Sequence, residues 1–258
     1  MGVLAFFGYT LIGAGPPAAV FVEFIVSSPF VLLVSLASAF FWVTVLLANS
    51  VVFRVLLLAV CDGKCGRSED SYVSVVPLVA FFACEEALRP FVHKFTVKAT
   101  DALEKRAVSL RHPKLTKLEK LRIHLGIGAG QGVAHSCLLF LNTVVTSYRG
   151  TYYNQTRCPQ IPYFLVAAIS SSTMFLLLSF AMVVTSVVFR PEPGSDLTSR
   201  RFHARTLLPL GIHASGVVVS FLNLIRGGCI AACVANCGLT LAVVAGAWKL
   251  TSDLAKNV

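Results

Sequence analysis

The length of its apolar runs constrains this chain more than any other feature. A helix needs about 20 mainly apolar residues to cross the hydrocarbon core of a bilayer. Stretches of that kind recur at roughly 3–25, 30–60, 72–97, 123–147, 162–189, 205–225 and 228–250. Backbone N–H and C=O groups cannot be left unpaired in hydrocarbon, so each such span must be helical. The sequence therefore predicts an all-α polytopic membrane protein, a single seven-helix membrane domain over 1–258. Composition agrees: 56% of the residues are hydrophobic and 13% charged, where a soluble domain carries roughly 25% charged residues.

The distribution of charge then orients the chain. Its formal net charge of +10 would point to nucleic acid in a soluble protein. Here the cations gather in two loops between apolar spans, which is the pattern of topology determinants. Lys94, Lys98, Lys105, Arg106, Arg111, Lys114, Lys117, Lys120 and Arg122 face only Asp101, Glu104 and Glu119, and a second loop from Arg190 to Arg205 adds Arg200 and Arg201. With seven spans both loops share a side with the turn near Ser27 and with the C-terminus. The positive-inside rule makes that side cytosolic and the N-terminus luminal or external. Asn154-Gln155-Thr156 is a glycosylation sequon, usable only on the luminal side, where this topology puts it. The first span starts almost at Met1 without a basic leader or a small-residue cleavage site, and reads as retained. Arg54, near the end of the long second stretch, snorkels or marks where the helix leaves the hydrocarbon.

The stretch Ile123–Ser147 is unusual for its glycines. Gly126 and Gly130 form one bare strip on a helix, and Gly128 and Gly132 form another that Ser136 extends by a turn. Each glycine would cost an aqueous helix about 1 kcal/mol relative to Ala. In lipid, small residues at i and i+4 instead let another backbone lie close. The strips serve packing inside the chain or the docking of a partner's span.

Ionisable groups at membrane depth are expensive and are functional candidates by default. Glu23 sits near the cytosolic end of the first span. Glu85, Glu86 and Arg89 lie on the third, where Glu86 and Arg89 at i, i+3 form an ion pair on one face. His124 and His135 flank the glycines, and His213 precedes Asn223 on the sixth span. Of the eight cysteines, Cys158 lies in a loop and has Cys61 or Cys65 as bridging partners if those loops share the oxidising side; the alternative is free, small packing residues. Cys229, Cys233 and Cys237, spaced i, i+4, i+8, read as a packing face, because three thiols on one membrane helix cannot close around a metal alone. No cofactor or metal is expected.

One catalytic reading follows from these groups. A glutamate base with histidines that bind or polarise can hydrolyse a peptide bond in the membrane. Glu85-Glu86-Ala87-Leu88-Arg89 distantly resembles the Glu-Glu-x-x-x-Arg motif of the CAAX-processing intramembrane proteases, but it is one residue short. Other intramembrane protease motifs are absent. A seven-span receptor or small transporter has less support still, since the luminal segments are short and no repeated halves with broken helices occur.

A second resemblance covers almost the whole chain. Met1-Gly2, Phe6-Phe7-Gly8-Tyr9-Thr10, Gly15-Pro16, Ala39-Phe40-Phe41-Trp42, Leu46-Leu47-Ala48, Ser50-Val51-Val52, and Glu86-x-x-Arg89 with Lys94, Lys98 and Ala99 occur in order. The glycine-rich fourth span, Pro162-Tyr163, Gly211-x-His213 and Phe221-Leu222-Asn223 follow. This set resembles the anterior-pharynx-defective subunit family of γ-secretase.

The resemblance implies a non-catalytic scaffold in endoplasmic reticulum, Golgi and plasma or endosomal membranes, within a complex that serves Notch signalling and other protein processing. Its implied partners are nicastrin, presenilin, whose two aspartates carry out the hydrolysis, and the presenilin enhancer subunit. The family's GxxxG-type span maps onto Gly128 and Gly132, with Gly126 and Gly130 as the other register. The third small position falls on His124 or Ala134. Of the family's two membrane histidines, His213 matches the sixth-span one. The fifth-span one falls at about Ser179, so His213 is left with Ser179 or His135 as its partner.

Overall fold

The computed structural model describes residues 2–61, 75–109, 115–148, 158–188, 199–225 and 227–256. All regular structure among them is helical. Helix α1 (Gly2–Val20) passes into a π-helical turn, Phe21–Val26, and is followed by α2 (Pro29–Cys61), α3 (Val75–Ser109), α4 (Lys117–Tyr148) and α5 (Tyr163–Val188). Then come α6 (Ser199–Ser220), a 3₁₀ turn at Phe221–Leu224, and α7 (Cys229–Lys256). Each apolar stretch thus has its helix. Four, over Val3–Val26, Pro29–Val52, Tyr163–Val187 and Cys229–Asp253, are long and apolar enough to cross a bilayer. The chain is a polytopic membrane protein.

Several helices outrun the stretches that announce them. α3 continues past 97 to Ser109, α4 begins at Lys117 and α6 at Ser199. The added turns are rich in Ala, Leu, Lys, Glu and Arg, which favour helix in water as well as lipid. Helix starts are marked locally. Pro29 takes the first position of α2, where its missing N–H costs nothing. At α4 the Thr116 backbone N–H donates to Glu119 Oε2 (2.6 Å), while the Glu119 N–H donates to Thr116 Oγ1 (3.2 Å), a reciprocal capping box. Gly227, at φ +79°, turns the chain into α7, a left-handed conformation that favours glycine.

The chain divides into two compact units, Met1–Phe40 with Leu121–Val258, and Phe41–Lys120. In the larger, α5 is the hub, with α1, α6 and α7 packed around it. Phe164 meets Tyr9 of α1 at 5.9 Å between ring centroids. Toward the end of α5, Val183 and Val184 join Leu121 and Leu125 of α4 and Ala247 of α7 in one apolar cluster. Near its start, Val166 packs with Cys158, Cys229 and Cys233. Cys158 and Cys229 are disulfide-bonded, with Cα atoms 6.0 Å apart. This corrects both cysteine expectations: Cys158 pairs with neither Cys61 nor Cys65, and Cys229 is a bridge rather than one of three free packing thiols. The bond ties the start of α7 to the chain entering α5.

In the smaller unit the enclosed side of α3 is polar. Glu85, Arg89, Thr96 and Thr100 are all buried, and their spacing places them along one side of the helix. Thr96 Oγ1 donates to the Val92 carbonyl (2.7 Å) and Thr100 Oγ1 to that of Thr96 (2.8 Å), so each hydroxyl is satisfied on its own helix. Lys120 bonds Glu104 at 2.7 Å, joining the end of α3 to the start of α4.

Two outcomes follow from the hub and its staple. Leu178 of α5 is fully buried, and Leu178→Ala should lower stability by about 2–5 kcal/mol, as large-to-small core changes do, read as a fall in the thermal transition of the purified protein in mild detergent. Alkylation in denaturant without reductant should spare Cys158 and Cys229 and label Cys84, Cys137, Cys233 and Cys237, as peptide mass spectrometry would show.

Candidate functional site

The two glycine strips of α4 face different helices of the same unit. A Cβ at Gly126 would lie 2.8 Å from Val31 Cγ1, and one at Gly130 would lie 2.7 Å from Ser38 Cβ and 2.8 Å from the Ala39 backbone nitrogen. Both contacts are with α2. Ser38 Oγ donates to the Ile127 carbonyl (2.8 Å), a hydrogen bond between the helices at the level of the strip. On the second strip, a Cβ at Gly128 would meet the Ser179 and Leu178 carbonyls at 2.8 and 2.9 Å, and one at Gly132 the Phe175 carbonyl at 2.9 Å. Ser136 Oγ continues that line by donating to the Ser171 carbonyl at 3.0 Å. So α4 lies between α2, which runs parallel to it, and α5, which runs antiparallel.

Real Cβ atoms essentially never come within 3.0 Å of another heavy atom, and at Gly128, Gly130 and Gly132 backbone would have to give way. Of the two uses open to the strips, packing within the chain is the one the structure shows for both. Ala134, a candidate third small position, is fully buried, while His124 is half-buried.

The histidines come together at the same helices. His135 is buried, and its Nδ1–H donates to the Gln131 carbonyl at 3.0 Å, one turn back on α4. His213 of α6 is buried with its ring edge-on to His135, the centroids 6.4 Å apart. Ser179, near where the resemblance would put a fifth-span histidine, is fully buried and donates to the Phe175 carbonyl at 2.7 Å. The ring beside His213 thus comes from α4 and not from α5. Asn223 lies in the 3₁₀ turn after α6 and is half-buried.

Glu86 and Arg89 form the expected ion pair. Arg89 Nη2 donates to Glu86 Oε1 (2.8 Å), and Nε donates to both carboxylate oxygens at 3.2 and 3.0 Å. Both side chains are about nine-tenths buried. Both carboxylate oxygens are thus engaged by the guanidinium, the fork geometry of a structural ion pair. Glu85, its neighbour, is also buried, whereas Glu23 lies exposed in the π-helical turn and Arg54 is exposed on α2.

Two residues were passed over in the sequence. Gln131, between Gly130 and Gly132, is buried, and its Nε2 has no hydrogen-bond partner among the described residues; Ser171 Oγ is in the same state. A glutamine inside a glycine-rich apolar span was the available signal. The sequon at Asn154, Cys65, Arg111, Lys114 and Arg190 lie outside the described residues, as do the side chains of Cys61, Arg200, Arg201 and Arg205.

If backbone approach at α4 sets the packing, adding one methyl group should be felt. Gly128→Ala and Gly130→Ala should each cost about 1–3 kcal/mol, the range for overpacking. Gly238→Ala on α7, where a Cβ meets nothing within 4 Å, should be neutral. Thermal unfolding of the three variants in one detergent makes the comparison.

Comparison with known proteins adds a family to this geometry. Residues 4–253 match the family described as Aph-1 protein. The chain is 27% identical over 230 residues to "Gamma-secretase subunit APH1-like" of Arabidopsis thaliana, covering 89% of this chain and 86% of that one. It is 28% identical over 185 residues to "Gamma-secretase subunit APH-1B" of Mus musculus, covering 71% and 68%. The Homo sapiens protein of the same name is 27% identical over the same shares.

Proposed function

The chain belongs to the Aph-1 family, and on that premise we propose that it is a non-catalytic scaffold subunit of a γ-secretase, assembling with presenilin, nicastrin and the presenilin enhancer subunit. The observation that carries this reading is the match over nearly the whole chain, together with relatives named as gamma-secretase subunits. The proposed topology is seven spans in one membrane domain, with a luminal N-terminus and a cytosolic C-terminus. The Cys158–Cys229 bond supports it, because disulfides persist on the oxidising side of a membrane. On this topology both cysteines lie on the luminal side.

The geometry suggests how such a subunit would work. In lipid, helices are held by close packing and by interhelical hydrogen bonds worth roughly 0.6–2 kcal/mol each. Gly126, Gly128, Gly130 and Gly132 set the spacing of α2, α4 and α5 and so the outer surface that partners meet. Their part in assembly is therefore indirect. His135 and His213 make the corresponding contact between α4 and α6, with His135 standing in for the histidine that the family carries in its fifth span. Glu86 and Arg89 hold the polar side of α3, and Asn154 is the proposed glycosylation site.

Co-purification in mild detergent followed by mass spectrometry tests the assignment. Presenilin-like and nicastrin-like chains should accompany the tagged full-length protein in near-equal amounts. A protein that elutes alone under conditions that keep other membrane complexes intact would overturn it.

A further inference from the structure

Where α3 passes from its apolar half into its charged half, the outward side of the helix carries cations in excess. Lys94, Lys98 and Lys105 are exposed, and their spacing puts them on one side, opposite the buried Thr96 and Thr100. The acids of the neighbourhood are mostly engaged elsewhere. Glu86 is held by Arg89, and Glu104 by Lys120. Asp101 is the one carboxylate of α3 on the lysine side, and among the described residues no salt bridge joins it to any of the three lysines.

Cations on a helix usually just face water, but these are interleaved with large apolar rings. Phe91 and Phe95 are 63% and 66% exposed, and they form the row of side chains next to Lys94 and Lys98. Rings left uncovered at this point of a membrane helix lie against acyl chain, which sets the lysines among them at headgroup depth, stems in the apolar layer and ammonium groups above it. Lys94 and Lys98 are about 6 Å apart along the helix axis. Flexible point charges at that separation can close on a single phosphate from two sides.

We propose that this side of α3 binds an anionic phospholipid, with the headgroup between the ammonium groups of Lys94 and Lys98 and the acyl chains along Phe91 and Phe95. Lys105 lies about 10 Å further along the axis, near enough to add to the field that draws the headgroup in. On the proposed topology this end of α3 is cytosolic, and the cytosolic leaflet is the one rich in anionic lipid. The leaflet rests on that topology; the site does not.

Native mass spectrometry of the full-length protein in mild detergent tests the site without regard to sidedness. Dioleoylphosphatidylserine should bind at least about tenfold more tightly than dioleoylphosphatidylcholine, since each lysine near an anionic lipid surface contributes roughly a factor of five. Lys94→Gln with Lys98→Gln should bring the two lipids to within about twofold of each other. Asp101→Asn should widen the difference, and Lys249→Gln on α7 should leave it as it is. Equal binding of the two lipids by the unaltered protein would overturn the proposal, as would a preference that the α3 pair leaves intact or that Lys249→Gln lowers as much. If the α3 pair also lowers the thermal transition, Asp101→Asn decides: no gain in phosphatidylserine binding there overturns the site.

Discussion

Where α4 passes between α2 and α5, the helices approach until only hydrogen fits between them. At Gly128 a Cβ would sit 2.8 Å from a carbonyl oxygen of α5, and at Gly130 2.8 Å from a backbone nitrogen of α2. Water drives apolar surfaces together in a soluble core, but lipid tails are as apolar as the side chains and give no such drive. Contact area at short range must do the work, and glycine maximises it by bringing backbones together. The hydrogen bonds from Ser38 to Ile127 and from Ser136 to Ser171 form because the backbones are that near. Moving α4 outward by the radius of a methyl group would loosen both interfaces at once.

The same environment dictates how polar side chains are used. Along α5 the hydroxyls of Thr173, Ser179 and Thr185 each donate back to a carbonyl of their own helix. Such back-bonding satisfies the donor without a partner helix, so a hub surrounded by α1, α4, α6 and α7 can carry serine and threonine through its interior. Glu86 and Arg89 solve the harder problem of charge within a single helix, by a fork of hydrogen bonds across one turn. Removing either member would strand the other, and that cost is larger than the net worth of the pair. Helices that satisfy most of their own side-chain hydroxyls suit a subunit whose proposed task is to hold other chains in register.

Much of this was legible in the sequence. Among the described residues the α-helices lie where the apolar runs lie, and four of them are long and apolar enough to cross a bilayer, since run length is a direct physical requirement of a span. The Glu86–Arg89 pair could be read from i, i+3 spacing, and the closeness of packing at α4 from its glycines. Which helix each strip takes was not legible, since a strip of glycines carries no chemical address. Nor was the primacy of α5: a helix that is apolar all round shows no periodicity to reveal how many neighbours it has. The Cys158–Cys229 bond spans 71 residues and joins a loop to a helix start, so only the tertiary arrangement selects it over bonds to Cys61 or Cys65. His135 stands beside His213 for the same reason, its partner lying two helices away in sequence.

The arrangement of the larger unit also bears on orientation by a route independent of the basic loops. α4 runs antiparallel to α5 and parallel to α2, so the starts of α2 and α4 share one end of the unit while the start of α5 lies at the other. The disulfide joins the chain entering α5 to the start of α7, which puts α7 in the same sense as α5. If the bonded end faces an oxidising compartment, the opposite end holds the starts of α2 and α4 and the end of α7. That end carries Arg122 and Lys249. Redox chemistry and the positive-inside rule rest on unrelated physics, one on thiol stability and the other on the translocation of cations. Both are consistent with the proposed topology, in which the bonded end of the unit is luminal.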